Sequence, residues 1–118
     1  DVVQCRKAIN ISGIDSLALT KIDILDHFKK IKICHEYKLG NKILKQMPTS
    51  NNDLKKSKPI YITLDGWNED TSEIKNLKSL PSKAKKFISI IEKLLGIPVT
   101  FISNGPDRTN IIKLKKIF

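Results

Sequence analysis

Several residues and patterns that would announce a special class of protein are scarce or missing in this 118-residue chain. Cysteine occurs twice, at Cys5 and Cys34. That is too few for a disulfide framework and fits a reducing compartment, with a single bridge the most the sequence allows. No stretch approaches the roughly 18 consecutive apolar residues of a membrane span. Nothing at the N-terminus reads as a charged segment followed by an apolar signal core. A soluble, intracellular protein is therefore expected. Arginine is nearly missing too: Arg6 and Arg108 stand against 20 lysines. The formal charge of +10 would ordinarily suggest nucleic acid or an acidic membrane surface as partner. Groove readout and phosphate clamping, however, favour the rigid, bidentate guanidinium. The few aromatics, 6% of the chain, do not interleave with the lysines as stacking platforms would. The charge reads as a solvated lysine-rich surface, with no nucleic acid and no membrane as partner.

What is present has the size of one modest domain, able to bury roughly two-thirds of its unfolded surface. The first residue is Asp1 rather than methionine, inside what reads as a helix already under way, so a piece of a longer chain is expected. Val2, Val3, Arg6 and Ile9 recur at helical spacing up to a stop at Ser12-Gly13. Ser16 to Ile24 passes from an apolar run to alternation and predicts a strand; Ile31, Ile33, His35 and Tyr37 predict another. A hairpin turn over Lys38 to Lys42 leads into Ile43 to Met47. Pro48 to Lys58 lacks an apolar period and reads as an exposed loop. Pro59 to Leu64 is strand-like and turns out at Asp65-Gly66-Trp67. Ala84, Phe87, Ile88, Ile91, Leu94 and Leu95 share one helical face, with Ser79 or Ser82 as candidate caps and Gly96 as the stop. Val99 to Ser103 and Ile111 to Leu114 are short strands. There is no internal repeat and no internal boundary. The class is mixed α/β, a mixed β-sheet packed with helices.

Two short motifs could carry chemistry. In a strand, Lys21 and Asp23 of Thr20-Lys21-Ile22-Asp23 point to the same side. Guanine presents two parallel donors, N1–H and the 2-amino group, which one carboxylate accepts together while a lysine stem lies across the ring. Adenine lacks both donors and would leave the aspartate unpaired. A solvated strand end with an incidental Lys–Asp pair explains the same residues. In Ser103-Asn104-Gly105-Pro106, Gly105 would let backbone amides approach a planar ligand, and a plain Gly-Pro turn is the alternative.

Other residues offer less. Cys34 and His35 are adjacent and face opposite sides of a strand, and with Cys5 and His27 they make no recognised zinc spacing. Trp67 reads as a packed aromatic. Asp107-Arg108 reads as a local ion pair shaping the Gly105-Pro106 loop.

The order of several blocks is more specific than either motif. Asp1 to Ser12, Leu19 to Asp26, Ile31 to Cys34 with Tyr37, Pro59-Ile60-Tyr61, Gly66-Trp67 and Leu80-Pro81 are followed by Leu94 to Val99, Ser103 with Gly105-Pro106-Asp107-Arg108, and the ending at Phe118. In that order they resemble the C-terminal portion of adenylosuccinate synthetases, over essentially the whole chain. The resemblance implies a single C-terminal segment, residues 1–118, of a larger P-loop-like, GTP-dependent ligase. In that family GTP phosphorylates the 6-oxygen of IMP and the aspartate amine then displaces phosphate, with Mg2+. It implies that Lys21, Ile22, Asp23, Ser103, Asn104 and Gly105 hold the guanine base. Asn104, at a variable family position, would contribute through its backbone. The catalytic residues and the Mg2+ site would lie outside this chain. GTP, IMP and L-aspartate as substrates, a homodimer and a cytoplasmic location come with the resemblance. Asp65 departs from the proline usual before Gly66-Trp67, and Lys38 to Lys58 match poorly. The other function class left by the residues is a stand-alone basic nucleic-acid-binding module.

Overall fold

The structure, a computed structural model, describes residues 1–114; the similarity at Phe118 lies outside the described residues. The elements follow in order: α1 (Val2–Ser12), β1 (Leu17–Leu19), a 3-10 turn (Ile22–Leu25), β2 (Lys30–Leu39), β3 (Lys42–Leu44), α2 (Asn51–Lys56), β4 (Lys58–Asp65), a second 3-10 turn (Leu77–Ser79), α3 (Ser82–Leu95), β5 (Val99–Ser103) and β6 (Ile111–Lys113). They divide into two compact units that alternate along the chain, residues 1–14 with 32–64 and residues 15–31 with 65–118. The chain therefore changes unit between residues 14 and 15, 31 and 32, and 64 and 65.

In the first unit, α1 is capped at both ends by residues the sequence supplies for that purpose. The Asp1 carboxylate accepts from the Gln4 amide at 3.0 Å. Gly13 takes the left-handed conformation, φ 61°, and its N–H donates to the Ile9 carbonyl at 3.0 Å. The sheet runs β3-β2-β4. β2 and β3 form an antiparallel hairpin closing at Leu39 and Lys42, with positive φ at Gly40. Val3, Cys34 and Tyr37 make the core, joined by Leu44, Met47 and Leu54. The Tyr37 hydroxyl donates to the Asp1 carboxylate at 2.6 Å.

Residues 51–56, expected in an exposed loop, form α2 instead. Ser50 Oγ accepts from the Asp53 amide at 3.1 Å, and Ser57 Oγ donates to the Asp53 carbonyl at 2.7 Å. Asp53 in the first turn and Lys55 and Lys56 in the last complement the helix dipole. Only Leu54 packs on the core. A helix held by its caps, with one apolar contact, leaves no periodic signal.

In the second unit the sheet order is β1-β5-β6, with β1 parallel and β6 antiparallel to β5. This is the expected mixed sheet against the long helix. Ala84 and Ile88 of α3 pack with Val99, Ile102, Ile112 and Trp67. Neither Ser79 nor Ser82 caps α3. Its N-cap is Pro81, without a side-chain hydrogen bond, and Ser79 belongs to the preceding 3-10 turn, which Asn76 caps. Gly96 ends α3 as expected, at φ 72°. The Glu92 carboxylate accepts from the Val99 amide at 2.9 Å and so ties the helix end to the start of β5.

Trp67 is a core residue, as its position suggested: it is 1% exposed, and its ring lies 5.8 Å from that of Phe87. Gly66 beside it is fixed by close approach. Its N–H donates to the Lys29 carbonyl at 2.9 Å, and a Cβ there would fall on the Phe28 carbonyl. Asp65 is ion-paired with Lys30 across an exposed surface. That hydrogen bond holds its carboxyl below the usual carboxylate range.

Two predictions follow from this packing. Gly66→Ala in the intact protein should cost about 3 kcal/mol, because backbone rather than a flexible side chain must move. A loss below about 0.5 kcal/mol in equilibrium denaturation would mean that the segment at Phe28 yields freely. Burial raises the Tyr37 hydroxyl above its ordinary value of 10.0. The folded state therefore keeps this proton where the unfolded chain gives it up, and the associated stability is full below pH 10 and lost as pH rises through the folded value. Tyr37→Phe should make the alkaline decline in stability shallower than in wild type; parallel declines would contradict this.

Candidate functional site

The parallel pairing of β1 with β5 decides where the two motifs lie. Leu17 pairs with Val99, Ala18 with Phe101 and Leu19 with Ile102. Both strands therefore run out at the same edge, with Thr20 to Asp23 leaving one and Ser103 to Gly105 ending the other. The carboxyl edge of parallel strands is where open α/β sheets bind ligands.

The local geometry at Lys21 and Asp23 differs from the strand that the alternation predicts. The strand stops at Leu19. Lys21 adopts left-handed backbone angles, φ 58° and ψ 41°, and heads the 3-10 turn Ile22–Leu25, on which Asp23 sits. The two side chains therefore do not share a strand face. The reason lies in Ile22, which is buried in the core with Trp67 and Ile102, while Ile24 is 63% exposed. Alternating isoleucines imitate a strand, but here one apolar anchor turns the chain. A non-glycine residue in the left-handed region costs of order 1 kcal/mol and persists where the surroundings fix it.

Asp23 is half-buried, and its Oδ1 is shielded from solvent with no hydrogen-bond partner. Buried carboxylate oxygens without donors are rare, and each calls for an explanation. Lys21 is exposed beside it. The 3-10 turn that carries Asp23 lies against β5.

On the other loop, Ser103 and Gly105 are half-buried and Asn104 is wholly buried. The Asn104 side chain faces inward, its amide donating to the carbonyls of Thr71 at 2.5 Å, Ile74 at 2.9 Å and Ser72 at 3.4 Å. Any ligand contact from Asn104 or Ile22 would thus come through backbone. Ser103 Oγ donates to the Gly105 carbonyl at 3.4 Å. Gly105 is required by Asn110, whose side chain would stand 2.5 Å from a Cβ.

Asn110, rather than an Asp107–Arg108 ion pair, shapes this loop. Among the described residues no ion pair joins Asp107 and Arg108. Asn110 Oδ1 accepts from the Asp107 amide at 3.0 Å, its own N–H donates to the Asp107 carbonyl at 3.0 Å, and its Nδ2 donates to Ser72 O at 3.2 Å.

Sequence reasoning missed the residues that support both loops. Asp26, 8% exposed, accepts from Trp67 Nε1 at 2.6 Å, from the Thr71 amide at 2.8 Å and from Thr71 Oγ1 at 3.0 Å. Asp26 and Trp67 stood inside the quoted blocks, but nothing in the sequence joined them to Thr71. Asp70, next to Thr71, is held below the ordinary carboxylate range by hydrogen bonds from the Ser72 hydroxyl and amide. Among the described residues no group of three or more His, Cys, Asp and Glu side chains is placed to hold a metal ion. No helix among them is long and apolar enough to cross a membrane.

The arrangement is a sheet edge with one shielded acceptor, one exposed ammonium and a hydrogen-bonded backbone loop, suited to a flat ligand with hydrogen-bond donors. A sequence profile of the adenylosuccinate synthetase family matches residues 1–112. The adenylosuccinate synthetase of Clostridioides difficile (strain 630) is 42% identical over 118 residues, 100% of this chain and 28% of that protein. That of Malacoplasma penetrans (strain HF-2) is 45% identical over 112 residues, 95% of this chain and 26% of the relative. The structure of the fully ligated adenylosuccinate synthetase from Plasmodium falciparum superimposes with a TM-score of 0.93 at 33% identity, covering 98% of this chain and 28% of that one. The chain thus spans little more than a quarter of the length of these relatives. With the profile covering nearly all of its length and identities above two-fifths, the chain belongs to the adenylosuccinate synthetase family.

Proposed function

We propose that this chain is the guanine-recognising, C-terminal portion of a GTP-dependent ligase that joins IMP to L-aspartate. The observation that carries the reading is Asp23 Oδ1, an acceptor withdrawn from water and left without a donor beside the Ser103–Gly105 loop. Guanine's N1–H and 2-amino group supply the donors such a carboxylate lacks. Lys21 lies over the ring, and the backbone of Ser103 to Gly105 serves the 6-oxo edge. The share of each relative that is matched says how much of an enzyme the chain represents. Its C-terminal placement rests on the ordered blocks from Leu19-Thr20-Lys21-Ile22-Asp23 to Gly105-Pro106-Asp107-Arg108 and on the lack of a glycine-rich phosphate loop in these residues.

In the intact enzyme GTP would phosphorylate the 6-oxygen of IMP, and the aspartate amine would displace phosphate to give adenylosuccinate, GDP and phosphate. Groups elsewhere in the enzyme would hold Mg2+, IMP and aspartate. A homodimer in the cytoplasm belongs to the same reading. The relatives lend nothing to a stand-alone nucleic-acid-binding module.

Two outcomes test this. Purified alone, the 118-residue chain should form no adenylosuccinate from GTP, IMP, aspartate and Mg2+; protein-dependent turnover would mean the catalytic groups are misplaced. In the intact enzyme, Asp23→Asn puts an amide donor against a guanine donor and should weaken GTP binding by on the order of 2–4 kcal/mol. The same amide can partly satisfy the 2-oxo group of xanthine. The ratio of kcat/KM for GTP to that for XTP should therefore fall, at saturating IMP and aspartate. An unchanged ratio in a folded variant would remove Asp23 from base recognition.

A further inference from the structure

Strand pairing ends at Leu19 and Ile102, yet the groups that would read the base lie beyond it, on the 3-10 turn and on the Ser103–Gly105 loop. A second connection joins these two segments. Asp26 follows the turn directly, and its amide donates to the Asp23 carbonyl at 3.1 Å. Its carboxylate takes both the amide and the hydroxyl of Thr71. The Thr71 carbonyl in turn accepts from Asn104 Nδ2, which also reaches the Ile74 carbonyl. Thr71 and Asn104 are both 0% exposed. Three carbonyls facing one Asn104 atom fix which end of its side chain is the amide.

We propose that Asp26, Thr71 and Asn104 form a buried bridge that sets the spacing between the Asp23 turn and the Ser103–Gly105 loop. They are thus positioning residues for recognition of the purine base. The bridge rests on the base-site reading above. It explains why a side chain in the middle of the candidate loop turns away from the ligand: Asn104 holds the backbone of its two neighbours by gripping a strap that Asp26 has already anchored. It also gives Asp26 a task distinct from core packing, because each bond in the series is directional and a loosened link lets the two loops move apart. The carboxylate is the member least open to substitution, since Trp67 and Thr71 all present donors to it.

The test uses the intact enzyme. Thr71→Val keeps the volume and removes the hydroxyl donor; Thr71→Ser keeps the donor. Thr71→Val should raise KM for GTP about fivefold, a part of the worth of one hydrogen bond to a charged acceptor because Thr71 acts on the base through the bridge. The KM values for IMP and aspartate should stay within about twofold of wild type, a spread too small for the loss of such a bond. Thr71→Ser should restore most of the GTP affinity. Asp26→Asn, which sets an amide against donors, should raise KM for GTP further. If these variants fold poorly, wild-type hydrogen exchange decides the matter: GTP should slow exchange of the Thr71 amide, which donates to Asp26, relative to GTP-free enzyme. The bridge is overturned if KM for GTP and Thr71 exchange are unmoved, or if all three substrates are affected in proportion to lost folded protein. Should Asp23→Asn alter GTP–XTP discrimination while these measurements stay flat, the bridge alone fails. Should Asp23→Asn also be silent, the base site itself fails.

Discussion

The parallel contact between Leu17–Leu19 and Val99–Ser103 is the constraint from which the candidate site is built. β1 has only three residues and cannot hold a register by length. Its register comes from what surrounds it: the Leu17 amide donates to the Pro98 carbonyl at 2.8 Å, and Thr100 Oγ1 donates to the Leu17 carbonyl at 3.2 Å. β5 is buried at Val99, Thr100 and Ile102, as a strand flanked on both sides must be. The long stretch between the two strands returns through α3. Its end is fastened to β5 by Glu92, so the crossover is anchored where the strand begins.

Around that contact the second unit buries more polar chemistry than its apolar core requires. A carboxylate at 8% exposure carries a large desolvation cost unless its lone pairs are filled. Asp26 meets that cost with indole, amide and hydroxyl donors. Asn104 likewise satisfies its amide three times over, while its Oδ1 has no partner. Satisfied networks of this kind impose unique geometry where apolar contacts would tolerate several arrangements. The orphaned oxygen of Asp23 stands out against that background. Beside the filled carboxylate of Asp26, the Oδ1 of Asp23 is an acceptor left without a donor at the carboxyl edge of the sheet.

Much of this was legible in the sequence, and the exceptions share a cause. α1, α3, β2, β4 and β5 follow from periodicity and glycine stops, because each puts several apolar side chains on one face, and β6 follows from its short apolar run. Cys34 broke the simple alternation: it is buried with Tyr37, three residues on, where a regular pleat would place them on opposite faces. α2 was invisible because its stability lies in Ser50, Ser57 and charge placement rather than in an apolar face. The 3-10 turn at Ile22 looks like strand in the sequence because Ile22 and Ile24 alternate, and only tertiary burial of the first distinguishes the two. For the site, the motifs were legible and the geometry was not. Lys21 and Asp23 stood out as a pair, but their relation follows from a left-handed residue rather than a pleat. Thr71 and Asn110 carry no local signal at all, since their roles exist only once distant segments meet.

The lysine excess bears on this last point. Among the described residues the lysines lie mostly on exposed positions, whereas Arg6 is used structurally, donating to the His35 and Lys45 carbonyls at 2.9 and 3.0 Å. Charge spread in this way is screened and supplies little specificity. On the proposed reading, discrimination between bases comes from a group whose mismatch is costly, and cost scales with withdrawal from water. Among the described residues, buried side-chain polar atoms without a partner occur at Asp23 and Asn104. The inward amide of Asn104 ties it to the Thr71–Ile74 strap, whereas Asp23 sits on a turn at the open sheet edge. The chain thus keeps its abundant charge where selectivity is weakest, and on the proposed reading Asp23 is the acceptor whose mismatch would be costly.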